Sequence, residues 1–135
     1  MGRPVHFELA AKDPGKLINF YQNVFGWKID QYGDTPYWLV DTGPKEEAGI
    51  NGAIVPKEAE GVVEEPSDVV DAAHAINAVI TIAVKNIDAS VEMITKNGGK
   101  ITMDKWEIQG IGWQAYFLDP ESNLLGILQA DPRSM

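Results

Sequence analysis

Val5, Phe7 and Leu9 alternate with His6, Glu8 and Ala10, so the chain opens on a strand with one apolar face and one face carrying two ionisable groups. The period then lengthens. Leu17, Phe20, Tyr21 and Val24 share one side of a helix, which Asp13 is placed to cap and Pro14 to begin. Gly26 supplies the left-handed residue that ends it. The pattern predicts a strand over Val5–Ala10, a helix over Pro14–Phe25, and strands at Lys28–Asp30, Tyr37–Asp41 and Gly49–Val55.

The pattern then returns. Thr81 to Val84 read as a second first strand, Asp88 as a second cap, Val91 and Ile94 as a second apolar stripe, and Gly98-Gly99 as a second stop. Asp13 and Asp88 are 75 positions apart, as are His6 and Thr81. Trp38-Leu39-Val40-Asp41 answers Tyr116-Phe117-Leu118-Asp119, and Gly52-Ala53-Ile54-Val55 answers Gly126-Ile127-Leu128-Gln129. The second half predicts a strand over Ala78–Lys85, a helix over Ala89–Asn97, and strands at Lys100–Met103, Trp113–Leu118 and Leu124–Gln129. Asp119 to Asn123 form a turn between the last two. The order is β-α-β-β-β twice, the mark of a duplicated supersecondary unit.

The acidic stretch Pro56 to Ala75 has no counterpart in the repeat. It reads as a solvated connector in which Ser67 caps a short helix through Val69, Val70 and Ala73, and it contains His74. The whole is one domain over residues 1–135, with half-domains over about 4–56 and 77–131 and the connector over about 57–76. With 44% hydrophobic residues the chain has material for a core, yet no apolar run reaches the roughly 20 residues that span a bilayer. The first residues enter a strand without a charged-then-apolar leader. The absence of cysteine fits a cytoplasmic protein. Twenty acidic against 11 basic residues, a net charge of −9, argue against nucleic acid and against anionic membranes as partners.

Three stretches carry a family: VHFELAAKDPGKLINFYQNVFGW, GINGAI, and Glu107 followed by IQGIGWQAYFLDPESNLLGI. With the duplicated β-α-β-β-β order they resemble the vicinal oxygen chelate superfamily, which includes glyoxalase I, extradiol dioxygenases, fosfomycin-resistance transferases and bleomycin-binding proteins. They look especially like its glyoxalase-related branch. The resemblance implies an α+β fold in which two tandem βαβββ halves form one curved mixed sheet around a cavity, with helices on the convex face. It also implies a homodimer. In the metalloenzymes of the family, His and Glu ligands come from the first and last strands of each half. Carried onto this chain, those positions fall on His6, Thr81, Gly52 and Gly126, of which only His6 ligates in the usual way.

A catalytic divalent-metal site holds about three protein ligands and keeps one position open. The expectation is therefore no metal and no cofactor, and a small organic ligand bound in the sheet cavity. The alternative is a glyoxalase-like enzyme that uses His6 and Glu8, about 6.6 Å apart along a strand, to hold a divalent metal or as an acid–base pair. The expected ligand-binding residues are Trp38, Gly52, Thr81, Trp113, Tyr116 and Gly126, with the aromatics stacking on a planar or cationic ligand. Trp27 and Trp106 read as packing residues.

Overall fold

A computed structural model describes residues 2–57 and 78–131. Most of the connector, with His74 and the helix expected after Ser67, lies outside the described residues. The chain divides between residues 63 and 64 into two compact units.

In the first unit, β1 (His6–Ala11), α1 (Pro14–Phe25), β2 (Lys28–Gln31), β3 (Trp38–Asp41) and β4 (Asn51–Pro56) follow in order. The second unit repeats the sequence of elements with β5 (Ile80–Ala83), α2 (Ile87–Lys96), β6 (Lys100–Ile108), β7 (Gly112–Leu118) and β8 (Leu124–Ala130). The β-α-β-β-β order expected twice is present twice. Its strands hydrogen-bond as two four-stranded mixed sheets, ordered β1-β4-β3-β2 and β5-β8-β7-β6. In each, the first strand pairs parallel to the last and the other neighbours run antiparallel. Neither sheet closes into a barrel.

The periodicities explain which face each sheet buries. Phe7, Leu9 and Ala11 are buried together with Leu17, Phe20 and Tyr21 of α1. Tyr21 stacks on Trp27 at 4.6 Å, and Trp27 in turn meets Phe7 at 5.8 Å, so Trp27 is a packing residue as expected. In the second unit Ile87 and Ile94 of α2 are buried, as are Ala115, Phe117, Leu125 and Ile127 of β7 and β8.

Both helices are capped, one of them not where the repeat placed the cap. The Asp13 carboxylate accepts from the Lys16 N–H at 3.2 Å, and Gly26 ends α1 with a φ of 70°. At α2 the cap is Asn86, whose side chain accepts from the Ala89 N–H at 3.0 Å. Asp88 sits in the first turn instead and pairs with Lys105 at 2.9 Å. Both residue types cap well; the chain enters α2 two residues earlier than Asp88 requires. The expected turn after β7 is held by Asp119, whose carboxylate accepts from the Glu121 and Asn123 N–H groups at 2.9 and 3.0 Å.

Candidate functional site

On the open face of the first sheet, His6 and Glu8 project from β1 and are joined by a residue from the entry to β3. The Tyr37 hydroxyl lies 2.9 Å from His6 Nε2 and donates to Glu8 Oε2 at 3.0 Å. His6 Nε2 and Glu8 Oε2 are 4.0 Å apart, with about half of each side chain open to solvent. The Tyr37 ring runs nearly parallel to the imidazole, at 6.5 Å and 6°. Burial pushes the Tyr37 phenol above its usual range, and the hydrogen bond and the negative charge of Glu8 push it the same way.

The proton order in this array follows from counting. A phenol has one proton, and an ionised carboxylate only accepts. Since Tyr37 donates to Glu8, the hydrogen in the other bond comes from His6 Nε2, and in a neutral imidazole Nδ1 is then the basic nitrogen. The alternation of His6, Glu8 and Phe7 showed the pair in the sequence. Tyr37, expected as the first residue of the strand ending at Asp41, was not named as a site residue, because only the register shows that it faces His6 and Glu8.

Register decides the place of the other candidates. Trp38 pairs with Ile54, and Val40 with Gly52, so these residues share the helix-side face with Phe7 and Leu9, opposite His6 and Glu8. A Cβ on Gly52 would meet the Phe7 ring at 2.7 Å. The residue paired with His6 is Asn51, and the residue paired with Thr81 is Gly126. The 75-residue repeat thus takes Asn51, not Gly52, onto Gly126. The Asn51 side-chain oxygen accepts from the Thr42 N–H at 2.8 Å and from the Thr42 hydroxyl at 3.2 Å. An open groove of about 680 Å³ lies beside it, between Arg3–Val5 and the 41–51 loop, and does not include His6, Glu8 or Tyr37.

The second sheet brings Thr81, Tyr116 and Gly126 together and leaves Trp113 out. Tyr116 pairs with Gly126 and Gln114 with Leu128, which sets these residues on the face opposite Phe117 and Leu125. A Cβ on Gly126 would lie 2.5 Å from the Gln114 side-chain nitrogen, 2.9 Å from the Thr81 hydroxyl and 3.2 Å from the Tyr116 ring. Trp106, opposite Gln114 on β6, meets Tyr116 at 5.5 Å and belongs to this face. Trp113 is on the other one, under Lys105, whose ammonium lies 5.1 Å from the indole and pairs with Asp88.

These donors do not suit a divalent cation. By register the four family positions carry His6, Asn51, Thr81 and Gly126, and the Asn51 oxygen already serves Thr42. His6 Nε2 and Glu8 Oε2 both engage the Tyr37 hydroxyl. Among the described residues, no three His, Cys, Asp or Glu side chains gather where they could hold a metal ion. Among the same residues, no helix is long and apolar enough to cross a membrane.

Known proteins agree with this architecture. The chain is 27% identical over 130 residues to "Putative glyoxylase CFP32" of Mycobacterium tuberculosis and of Mycobacterium bovis. That match takes in 96% of this chain and spans 46% of theirs. A fosfomycin resistance protein, FosX, of Listeria monocytogenes, solved with Mn(II) and 1S,2S-dihydroxypropylphosphonic acid, superposes with a TM-score of 0.71. It is 18% identical, with 99% of this chain and 94% of that one covered. TioX of Micromonospora superposes with a TM-score of 0.65 at 18% identity, over 96% of this chain and 100% of its own. The family model for the Glyoxalase/Bleomycin resistance protein/Dioxygenase superfamily matches residues 3–127, and the chain belongs to that superfamily.

Proposed function

We propose that this chain binds a small organic ligand without a divalent metal, and that the His6–Tyr37–Glu8 array is a polar anchor of the site. The observation that carries the proposal is the occupation of the metal-competent atoms. A cation would compete with the Tyr37 hydroxyl for both His6 Nε2 and Glu8 Oε2, and the remaining family positions offer it no charged donor. The FosX complex has both a metal and a phosphonate; this chain shares the fold, and the donors it offers are those described above. In this reading the two units are halves of one domain, the protein is a cytoplasmic homodimer, and its acidic surface keeps nucleic acid away.

Elemental analysis of protein purified without chelator tests it. The expected metal content is well below one per chain. About one tightly held Mn, Fe, Ni or Zn per chain, lost on His6→Ala, overturns the proposal. A ligand-melting screen is the positive arm, because a ligand bound only to the folded state raises stability by roughly 2.7 kcal/mol at a hundredfold excess over Kd.

The bridging hydroxyl favours a second reading, acid–base catalysis. Here His6 Nδ1 would take a proton from a ligand while Tyr37 and Glu8 hold the resulting imidazolium in place. Turnover of a hemithioacetal that vanishes in His6→Ala or Glu8→Gln, with binding retained, selects this reading over the first.

A further inference from the structure

The His6–Tyr37–Glu8 array has a shape and a proton count that together select a ligand class. The 2.9 Å contact runs from a ring nitrogen of His6 to the oxygen that stands in the plane of the Tyr37 ring. The ring planes differ by 6° and their centres lie 6.5 Å apart, close to the sum of that contact and the two in-plane reaches from ring centre to bonded atom. The rings therefore meet edge to edge in nearly one plane, as a flat two-ring platform, and not one above the other. About half of the His6 and Glu8 side chains is open to solvent.

With the Nε2 proton of His6 given to Tyr37 and the phenol proton given to Glu8, the array keeps no donor to turn outward. His6 Nδ1 and Glu8 Oε1, both acceptors, have no protein partner among the described residues. The surrounding face has the same sign. Register sets Glu8, Ala53, Leu39 and Asp30 in one row across the sheet, with Asp41 opposite Lys28 on the same face. Among the described residues of this face, three carboxylates thus stand against one ammonium, and Leu39, 43% exposed, gives the row an apolar middle.

We propose that this platform recognises a flat aromatic cation with N–H donors at its rim, of the arylamidinium kind, and discriminates against the matching carboxylate. Aromatic faces carry the negative side of the ring quadrupole and take a planar cation. Its rim N–H groups satisfy Nδ1 and Oε1, the second through a charge-assisted bond. A carboxylate brings only acceptors to two acceptors, beside a charge of its own sign. This deepens the metal-independent binding proposal and rests on it.

The test uses the whole chain, with EDTA present, at about pH 8, where an ordinary imidazole is neutral. The probes are benzamidine, its isosteres benzamide and benzoate, and cyclohexanecarboxamidine, which keeps the charge without the flat ring. The readout is the His6 ring signal in carbon–proton NMR spectra; the chain has two histidines, so His6→Gln assigns it. Benzamidine is expected to move that signal and to bind at least about tenfold tighter than benzamide or benzoate. It is also expected to bind several-fold tighter than cyclohexanecarboxamidine. Tyr37→Leu should erase the advantage of the flat cation over the cyclohexyl one, and Glu8→Gln most of the preference for benzamidine over benzamide. Benzoate binding as tightly as benzamidine, an unmoved His6 signal, or unaltered preferences in folded Tyr37→Leu or Glu8→Gln each overturn the inference. Should either variant fail to fold, the wild-type probe series decides alone. A preference for benzoate in metal-free protein refutes the ligand class and leaves metal-independent binding standing; a tightly held metal refutes that proposal by itself.

Discussion

Gly52→Ala should be among the most damaging single-methyl additions in the chain, although alanine is ordinarily welcome in a strand. Its Cβ would collide with the Phe7 carbonyl oxygen and lie 2.7 Å from two carbons of the Phe7 ring. Ordinary contact needs about an ångström more. The ring is 8% exposed and lies against Trp27, and the carbonyl belongs to the strand that pairs with β4, so neither withdraws freely. Overpacking of this kind costs about 1–3 kcal/mol, and a clash with backbone belongs at the upper end. With a urea slope of about 2 kcal/mol/M, a loss of about 3 kcal/mol lowers the unfolding midpoint by about 1.5 M. Tryptophan fluorescence against urea reads it directly. Gly126→Ala is the control, since the nearest atoms there end two side chains, Gln114 and Thr81, and its cost should be about 1 kcal/mol or less. A Gly52→Ala midpoint equal to wild type, or a Gly126→Ala variant that is the less stable of the two, would refute the assignment of the two glycines to opposite kinds of face.

Tyr37→Phe keeps the ring and deletes the bridge, so phenolate absorbance should lose a tyrosine that titrates above the free value of 10.0. Because the folded-state value is raised, the Tyr37 contribution to stability is complete below the unfolded pKa and fades as pH rises through the folded one; the difference between wild type and Tyr37→Phe should shrink only in alkali. A tyrosine lost at or below the free value contradicts the array. Asn86→Ala should cost about 1 kcal/mol of stability, while Asp88→Ala, at an exposed ion pair, should change it little; the reverse ranking in urea would return the cap to Asp88. Light scattering should give a mass near twice 14.8 kDa, and a monomer across a wide concentration range would reject the dimer.

Element type was legible because the chain states it locally. The apolar period changes from two in β1 to that of a helix in α1, and Asp13 and Gly26 punctuate the change. Register was not legible, because it is a relation between strands, and one step along a strand exchanges its faces. Asn51 and Gly52 are neighbours in sequence and face opposite sides of β4, so matching glycine to glycine placed the first-half position one residue late. The face that Trp106 occupies was not legible for a related reason. The β6–β7 ladder shifts register between Ile101 and Met103 and again between Met103 and Trp106, so no count of odd and even positions runs through it. The two cap-forming residues before α2, Asn86 and Asp88, present the same ambiguity at a helix end.

The bond from Asn51 to Thr42 bears on what a metal ion at this position would require. The position that pairs with His6 is the natural place to install a carboxylate, yet its side-chain oxygen already fastens the first residue of the 42–50 loop through both the backbone N–H and the hydroxyl of Thr42. A glutamate there would have one group of atoms for two tasks. In the metal-independent reading proposed above, gaining an ion at that position means releasing the loop, so installing a metal centre there takes at least two coupled changes.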